Sequence, residues 1–167
     1  MTNFKEIDLD RFAENPFKLI GKDWMLITAG TKESFNTMTG AWGGLGILWE
    51  KKIAFCVIRP TRYTFDFIEK AGYYTLSFLE EEYREILTYC GTKSGRDVNK
   101  VAETGLTPIF DSEAIYFQEA RLVMICKKIY FQDLIPGHFL DSKIDDFYPL
   151  RDYHRMYVGE VVKCLKR

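Results

Sequence analysis

The chain has 167 residues, enough for one domain with a substantial core. Its 23 basic and 24 acidic side chains leave a formal net charge of −1. There is no broad basic field for nucleic-acid binding, although a few local cations suffice for a small anion. Apolar residues at 47% and charged residues at 28% are ordinary for a soluble protein, but aromatics reach 16% and leave rings available for a ligand or a second subunit.

In chain order, the opening MTNFKEIDLDRF is acidic and lacks the apolar core of a signal peptide. Residues 1–20 are expected to be an N-terminal extension of a single domain. Residues 24–30, WMLITAG, read as a buried strand, followed by a polar turn at KESFN. The next stretch, NTMTGAWGG at 36–44, combines an amide, two hydroxyls, three glycines and a large flat ring. IAFCVI at 53–58 is a second buried strand, stopped by Arg59-Pro60 because proline cannot donate to a ladder. TFDFIEKAG has Phe65, Ile68 and Ala71 at helical spacing, with Gly72 as the stop.

YYTLSFL at 73–79 is β-branched and aromatic, hence a strand. EEEYREILTYC predicts a helix with Tyr83, Ile86, Leu87 and Cys90 on one face. After the loop GTKSGRD, DVNKVAETG predicts a short helix capped by Asp97 and closed by Gly105. IYFQEARLVMICKKIYFQDL carries two β runs and MYVGEVVKCL a last one, joined by an irregular connection over 136–155. Strands dominate and helices are short connectors, which predicts a closed or nearly closed antiparallel barrel with helical insertions.

Several chemistries are disfavoured. His138 and His154 stand sixteen residues apart without an HExxH or a cysteine pair, so no metal is expected. The four cysteines lie over thirty residues apart, and Cys56 and Cys126 sit in apolar runs. They read as reduced, buried thiols of a cytoplasmic protein. No apolar run approaches the roughly 18 residues of a membrane span. There is no GxSxG elbow, GAWGGLG is not a dinucleotide fingerprint, and GTKSGRD is not a P-loop.

Three stretches remain. NTMTGAWGG offers a ring, hydroxyls and approachable backbone. RPTRYT at 59–64 sets two guanidinium groups and two threonines at a helix start, a set suited to one phosphate. GTKSGRD at 91–97 brings Lys93, Ser94 and Arg96 on a loop. Together they specify a ligand planar at one end and phosphorylated at the other, as a flavin mononucleotide is.

NTMTGAWGG, RPTRYT, CGTKSGRDVNK and DYHRMYVGEV, in that order, resemble the flavin reductase-like, FMN-binding split-barrel family, particularly its short flavoredoxin-like members. The resemblance covers roughly residues 20–167. It implies a six-stranded antiparallel split barrel, a homodimer, and FMN near the subunit interface. Asn36, Thr37, Met38 and Thr39 would follow the ring and ribityl chain, with Trp42 beside the cofactor or closing the barrel. Arg59, Arg62, Tyr63 and Thr64 would line the phosphate end. Lys93, Ser94, Gly95 and Arg96 would close over the cofactor, and His154 would lie on the nicotinamide side as a candidate catalytic residue.

The chain departs from the family pattern at Thr39-Gly40-Ala41-Trp42, where relatives commonly carry Thr-Ala-Ser-Trp, and at Lys51-Lys52, where a proline is common. The implied activity is electron transfer from NAD(P)H through FMN to a flavin, metal complex or protein acceptor. The alternatives are a non-catalytic FMN-binding electron-transfer or flavin-storage protein and, more remotely, an oxidase of a small substrate. No nucleic-acid or membrane partner is expected.

Overall fold

The computed structural model describes residues 3–112 and 114–167. Its strands are β1 (Lys5–Glu6), β2 (Met25–Gly30), β3 (Phe35–Gly40), β4 (Gly43–Leu48), β5 (Lys51–Ile58), β6 (Tyr73–Leu79), β7 (Pro108–Asp111), β8 (Ala114–Phe117), β9 (Ala120–Asp133) and β10 (Arg155–Lys166). Helices are α1 (Pro16–Lys18), α2 (Tyr63–Lys70), α3 (Arg84–Thr92) and α4 (Lys100–Thr104). Short 3₁₀ turns at Pro136–His138 and Ser142–Phe147 punctuate the connection before β10. Among the described residues no helix is long and apolar enough to cross a membrane.

The main sheet is antiparallel throughout, in the order β3-β2-β6-β9-β10-β5-β4, with β1 added on β10. It therefore has eight strands where six were expected. Its two terminal strands, β3 and β4, are consecutive in sequence and joined only by Ala41 and Trp42. Such a link spans at most about 11 Å. The sheet must curl until its ends nearly meet, and because β3 and β4 do not pair, the barrel is split at Trp42.

NTMTGAWGG is thus two strands and the seam between them. The glycines beyond the seam serve the sheet. A Cβ at Gly43 would meet the Phe55 carbonyl oxygen at 2.3 Å, and one at Gly44 would meet the Phe55 ring at 2.4 Å. β4 then turns into β5 through Trp49 and Glu50, both at positive φ (51° and 58°), as a two-residue hairpin requires.

β2, β5, β6, α2 and α3 occur where hydrophobic patterning predicts them. In β2, Met25, Ile27 and Ala29 enter the barrel core with Tyr74, Phe78, Met124 and Tyr157. Leu26 instead packs outward with Leu87, Cys90, Leu106 and Phe117 beneath α3. Both faces are covered, so the strand reads as a continuous apolar run. All four cysteines are buried and unpaired. The short helix α4 is capped by Asn99, whose Oδ1 accepts from Ala102 N at 3.1 Å, and not by Asp97 as expected. Gly105 closes it in the left-handed conformation, as expected.

Candidate functional site

β3 lies at the open edge of the sheet against the starts of α2 and α4, and its side chains alternate between two faces. Asn36 and Met38 face a cavity of about 160 Å³, which is completed by Thr61–Thr64, Thr92–Gly95 and Lys100. Asn36 Nδ2 donates to Thr64 Oγ1 at 2.8 Å, fixing β3 to the first turn of α2. The two threonines turn elsewhere. Thr37 Oγ1 shares a hydrogen bond with Thr28 Oγ1 at 2.8 Å, and Thr39 Oγ1 donates to the Leu87 carbonyl of α3.

The cavity is cationic. Arg62 occupies the N-cap of α2 and no side chain caps that helix. Its first N–H groups and the positive end of its dipole are left for a ligand. The Arg62 guanidinium is half-buried, and among the described residues it has neither a carboxylate nor a side-chain hydrogen-bond partner. Burial, and then repulsion from Arg59, lower its pKa.

Lys93 and Ser94 bring a second cation and a hydroxyl, and Ser94 Oγ accepts from Arg96 N at 3.2 Å. Gly95 sits so close to Asn36 that a Cβ there would meet Asn36 Oδ1 at 2.1 Å. Unpaired cations at an uncapped helix start, with hydroxyls and a close-approaching glycine, form a donor set that fits a phosphate.

Lys100 is the residue that sequence reasoning missed. Its side chain is buried, and Nζ donates to the Thr37 and Cys90 carbonyls, each at 2.8 Å. Burial pushes its pKa down to about 8; the Cys90 side chain opposes that shift and Arg62 adds to it. One signal was available in the sequence. Lysine in the first turn of a helix sits at the positive end of the dipole, a local mismatch of the kind that marks functional positions.

Other expected residues stand apart from this cavity. Arg59 donates from Nη1 to Asp152 Oδ1 at 2.8 Å and from Nη2 to the Phe147 carbonyl at 2.7 Å, and it lies over the Tyr148 ring. It fastens the connection before β10 and does not line the phosphate-sized cavity. Arg96 donates to Asp66 Oδ2 at 2.9 Å and to the Thr61 carbonyl at 3.2 Å, latching the 93–97 loop to α2. It borders a larger neighbouring cavity of about 510 Å³.

Trp42, half in solvent at the seam, packs against the rings of Phe147 (5.4 Å) and His154 (5.1 Å). His154 is only 8% exposed and shares a 2.7 Å hydrogen bond through Nδ1 with Tyr148 Oη. Burial, and then Arg59, hold its pKa at about 4, so the ring is neutral at pH 7.

A family model described as "Flavin reductase like domain" matches residues 19–167. The chain belongs to the flavin reductase-like family. Among solved structures, it is similar to the flavoredoxin of Desulfovibrio vulgaris (Miyazaki F), at 20% identity and a TM-score of 0.68, over 96% of this chain and 77% of that one. It is also similar to the FMN-binding domain of a flavin reductases-like enzyme from Shewanella baltica OS155, at 15% identity and a TM-score of 0.69, over 99% and 78%. A third is the NADH:FAD oxidoreductase SgcE6 of Streptomyces globisporus C-1027, at 12% identity and a TM-score of 0.66, over 87% and 75%. No curated protein sequence gives a significant match. The flavin reductase-like family and the split-barrel fold anticipated from the motifs therefore hold.

Proposed function

We propose that this chain is an FMN-dependent oxidoreductase that takes electrons from NAD(P)H and passes them to a flavin, a metal complex or a protein acceptor. One observation carries the reading: a half-buried, unpaired Arg62 at the uncapped start of α2, in a cavity that also holds Lys93, Ser94 and Lys100. In family terms this is the phosphate end of FMN. Bound FMN supplies the hydride-accepting and electron-releasing chemistry. The protein's part is to hold and orient it: Arg62 and the α2 N–H groups at the phosphate, Asn36 and Met38 along the β3 wall, and Gly95 as the close-fitting lid.

A cavity of about 160 Å³ is smaller than the roughly 300 Å³ lower bound of drug-sized ligand pockets. Such a cavity suits one end of FMN, and the remainder needs further cover. A second copy of the chain supplies it in this reading. The exposed apolar side chains of the edge strand and hairpin, Ile47, Leu48 and Trp49, support a homodimer.

The purified protein is expected to be yellow and to bleach when NADH or NADPH is added without oxygen. Retention of FMN with no bleaching by either donor, but rapid reduction by a partner reductase, would make the chain an electron carrier instead. A colourless protein that takes up no added FMN would end the reading.

A further inference from the structure

The connection between β9 and β10, residues 134–154, packs an aromatic cluster against the seam, with Phe147 on Trp42. Tyr148 is the centre of that cluster. Phe139 stacks on its ring at 6.0 Å, Tyr153 tilts against it at 4.8 Å, and the Arg59 guanidinium lies over it at 4.8 Å. Arg59 also holds the chain on both sides of this tyrosine, through the Phe147 carbonyl and Asp152. Tyr148 is 4% exposed, so its hydroxyl is fixed in place. That hydroxyl lies 2.7 Å from His154 Nδ1, and among the described residues it has no other hydrogen-bond partner.

The shared proton has two arrangements. If Nδ1–H donated to the phenol oxygen, the phenol proton would be left buried without an acceptor, at the full desolvation cost of that donor. If the phenol donates to Nδ1, both groups are satisfied, and the one proton of a neutral imidazole sits on Nε2. Burial of Tyr148 raises its pKa and keeps the phenol protonated. Burial of His154, and then Arg59, keep its ring neutral at pH 7; Asp152 opposes that shift and Arg62 adds to it. Nε2 has no protein partner among the described residues, and it is not one of their fully buried unpartnered atoms. It is a donor left open beside Trp42, whose ring centroid is 5.1 Å from that of His154.

We propose that Tyr148 is a positioning residue: its hydroxyl keeps the His154 proton on Nε2, where the imidazole donates a hydrogen bond to an oxygen of the hydride donor. The carboxamide oxygen of a nicotinamide is an acceptor of that kind. The other tautomer would present a lone pair, which repels a carbonyl oxygen. β3 carries Asn36 and Met38 at the cationic cavity and ends beside Trp42, so His154 stands at the other end of the same strand. This role rests on the oxidoreductase reading above and adds to it a residue from outside the flavin-binding motifs.

Nitrogen-15 NMR of the imidazoles in the purified full chain tests the tautomer without relying on flavin chemistry. It distinguishes a protonated from an unprotonated ring nitrogen, and His138→Gln assigns the two histidines. His154 should show one tautomer, Nε2–H, from about pH 6 to about pH 8. Nδ1–H, or an even mixture, overturns the proposal, and this result needs no Tyr148 variant to fold. Anaerobic reduction of bound FMN by NADH and NADPH tests the consequence. Tyr148→Phe keeps the ring and loses the hydroxyl; it should slow bleaching by about tenfold while FMN affinity stays within about twofold. In a His154→Gln background the same change should alter the remaining rate by less than about twofold, because its effect passes through the imidazole. Equal slowing in both backgrounds would give Tyr148 a purely structural role and overturn the proposal. Bleaching of Tyr148→Phe as fast as the wild type removes this role alone. Bound FMN that neither donor reduces in the wild type removes the nicotinamide reading and this role together.

Discussion

Replacing Gly95 by alanine tests the lid of the proposed cofactor site. The new Cβ would lie 2.1 Å from Asn36 Oδ1, 2.9 Å from Asn36 Cγ and 2.9 Å from Tyr63 Cδ1. The first of these is more than an ångström inside ordinary contact. The backbone of Gly95 is not left-handed, so crowding is the only penalty. Asn36 has little room to yield, being 7% exposed and donating to Thr64 Oγ1. Rotating it away gives up that hydrogen bond and strands a buried amide, at about 1–3 kcal/mol. Lifting the 93–97 loop instead opens the cavity, and overpacking of this kind costs about 1–3 kcal/mol.

Gly95→Ala should therefore lose about 1–3 kcal/mol in urea denaturation and bind FMN more weakly. Adding Asn36→Ala makes room for the new methyl group, so the alanine at 95 should cost much less in that background. If the Gly95→Ala penalty is the same with and without Asn36, or absent from both, the close approach does not shape the site.

Two other perturbations separate charge from packing. Arg62→Ala should weaken FMN by roughly 10- to 100-fold, the worth of a charge-assisted hydrogen bond, and leave riboflavin nearly unaffected; unchanged FMN affinity in a titration would remove Arg62 from the site. His154 should make the fold acid-sensitive. Its pKa is depressed to about 4 from an ordinary 6.5, so the folded state takes up its proton later than the unfolded one. The associated stability, about 3 kcal/mol, is fully present above pH 6.5 and lost as pH falls through about 4. Urea midpoints measured across that window should lose most of this slope in His154→Phe; an unaltered slope would mean that other groups carry it.

The apolar runs of β2, β5 and β6 and the helical spacing of α2 and α3 were legible because each depends on its own residues and their burial. Arg62, Tyr63, Thr64, Lys93, Ser94 and Gly95, which the fold brings to one cavity, also stood out in the sequence, because the chemistry of anion binding restricts residue types within short stretches. β3 and β4 were not. Their glycines and Asn36 have weak strand preference, and only pairing with β2 and β5 makes strands of them. Arg59 read as a phosphate ligand because Asp152 and the Phe147 carbonyl, which hold it, are distant in sequence. Lys100 passed as one more helix residue, since its burial exists only once β3 and α3 close around it. By itself, then, the sequence determined which local stretches bury apolar surface and which carry anion-binding groups. The tertiary structure decided which of those groups remain unpaired in one cavity, because pairing and burial are properties of residues brought together from distant parts of the chain.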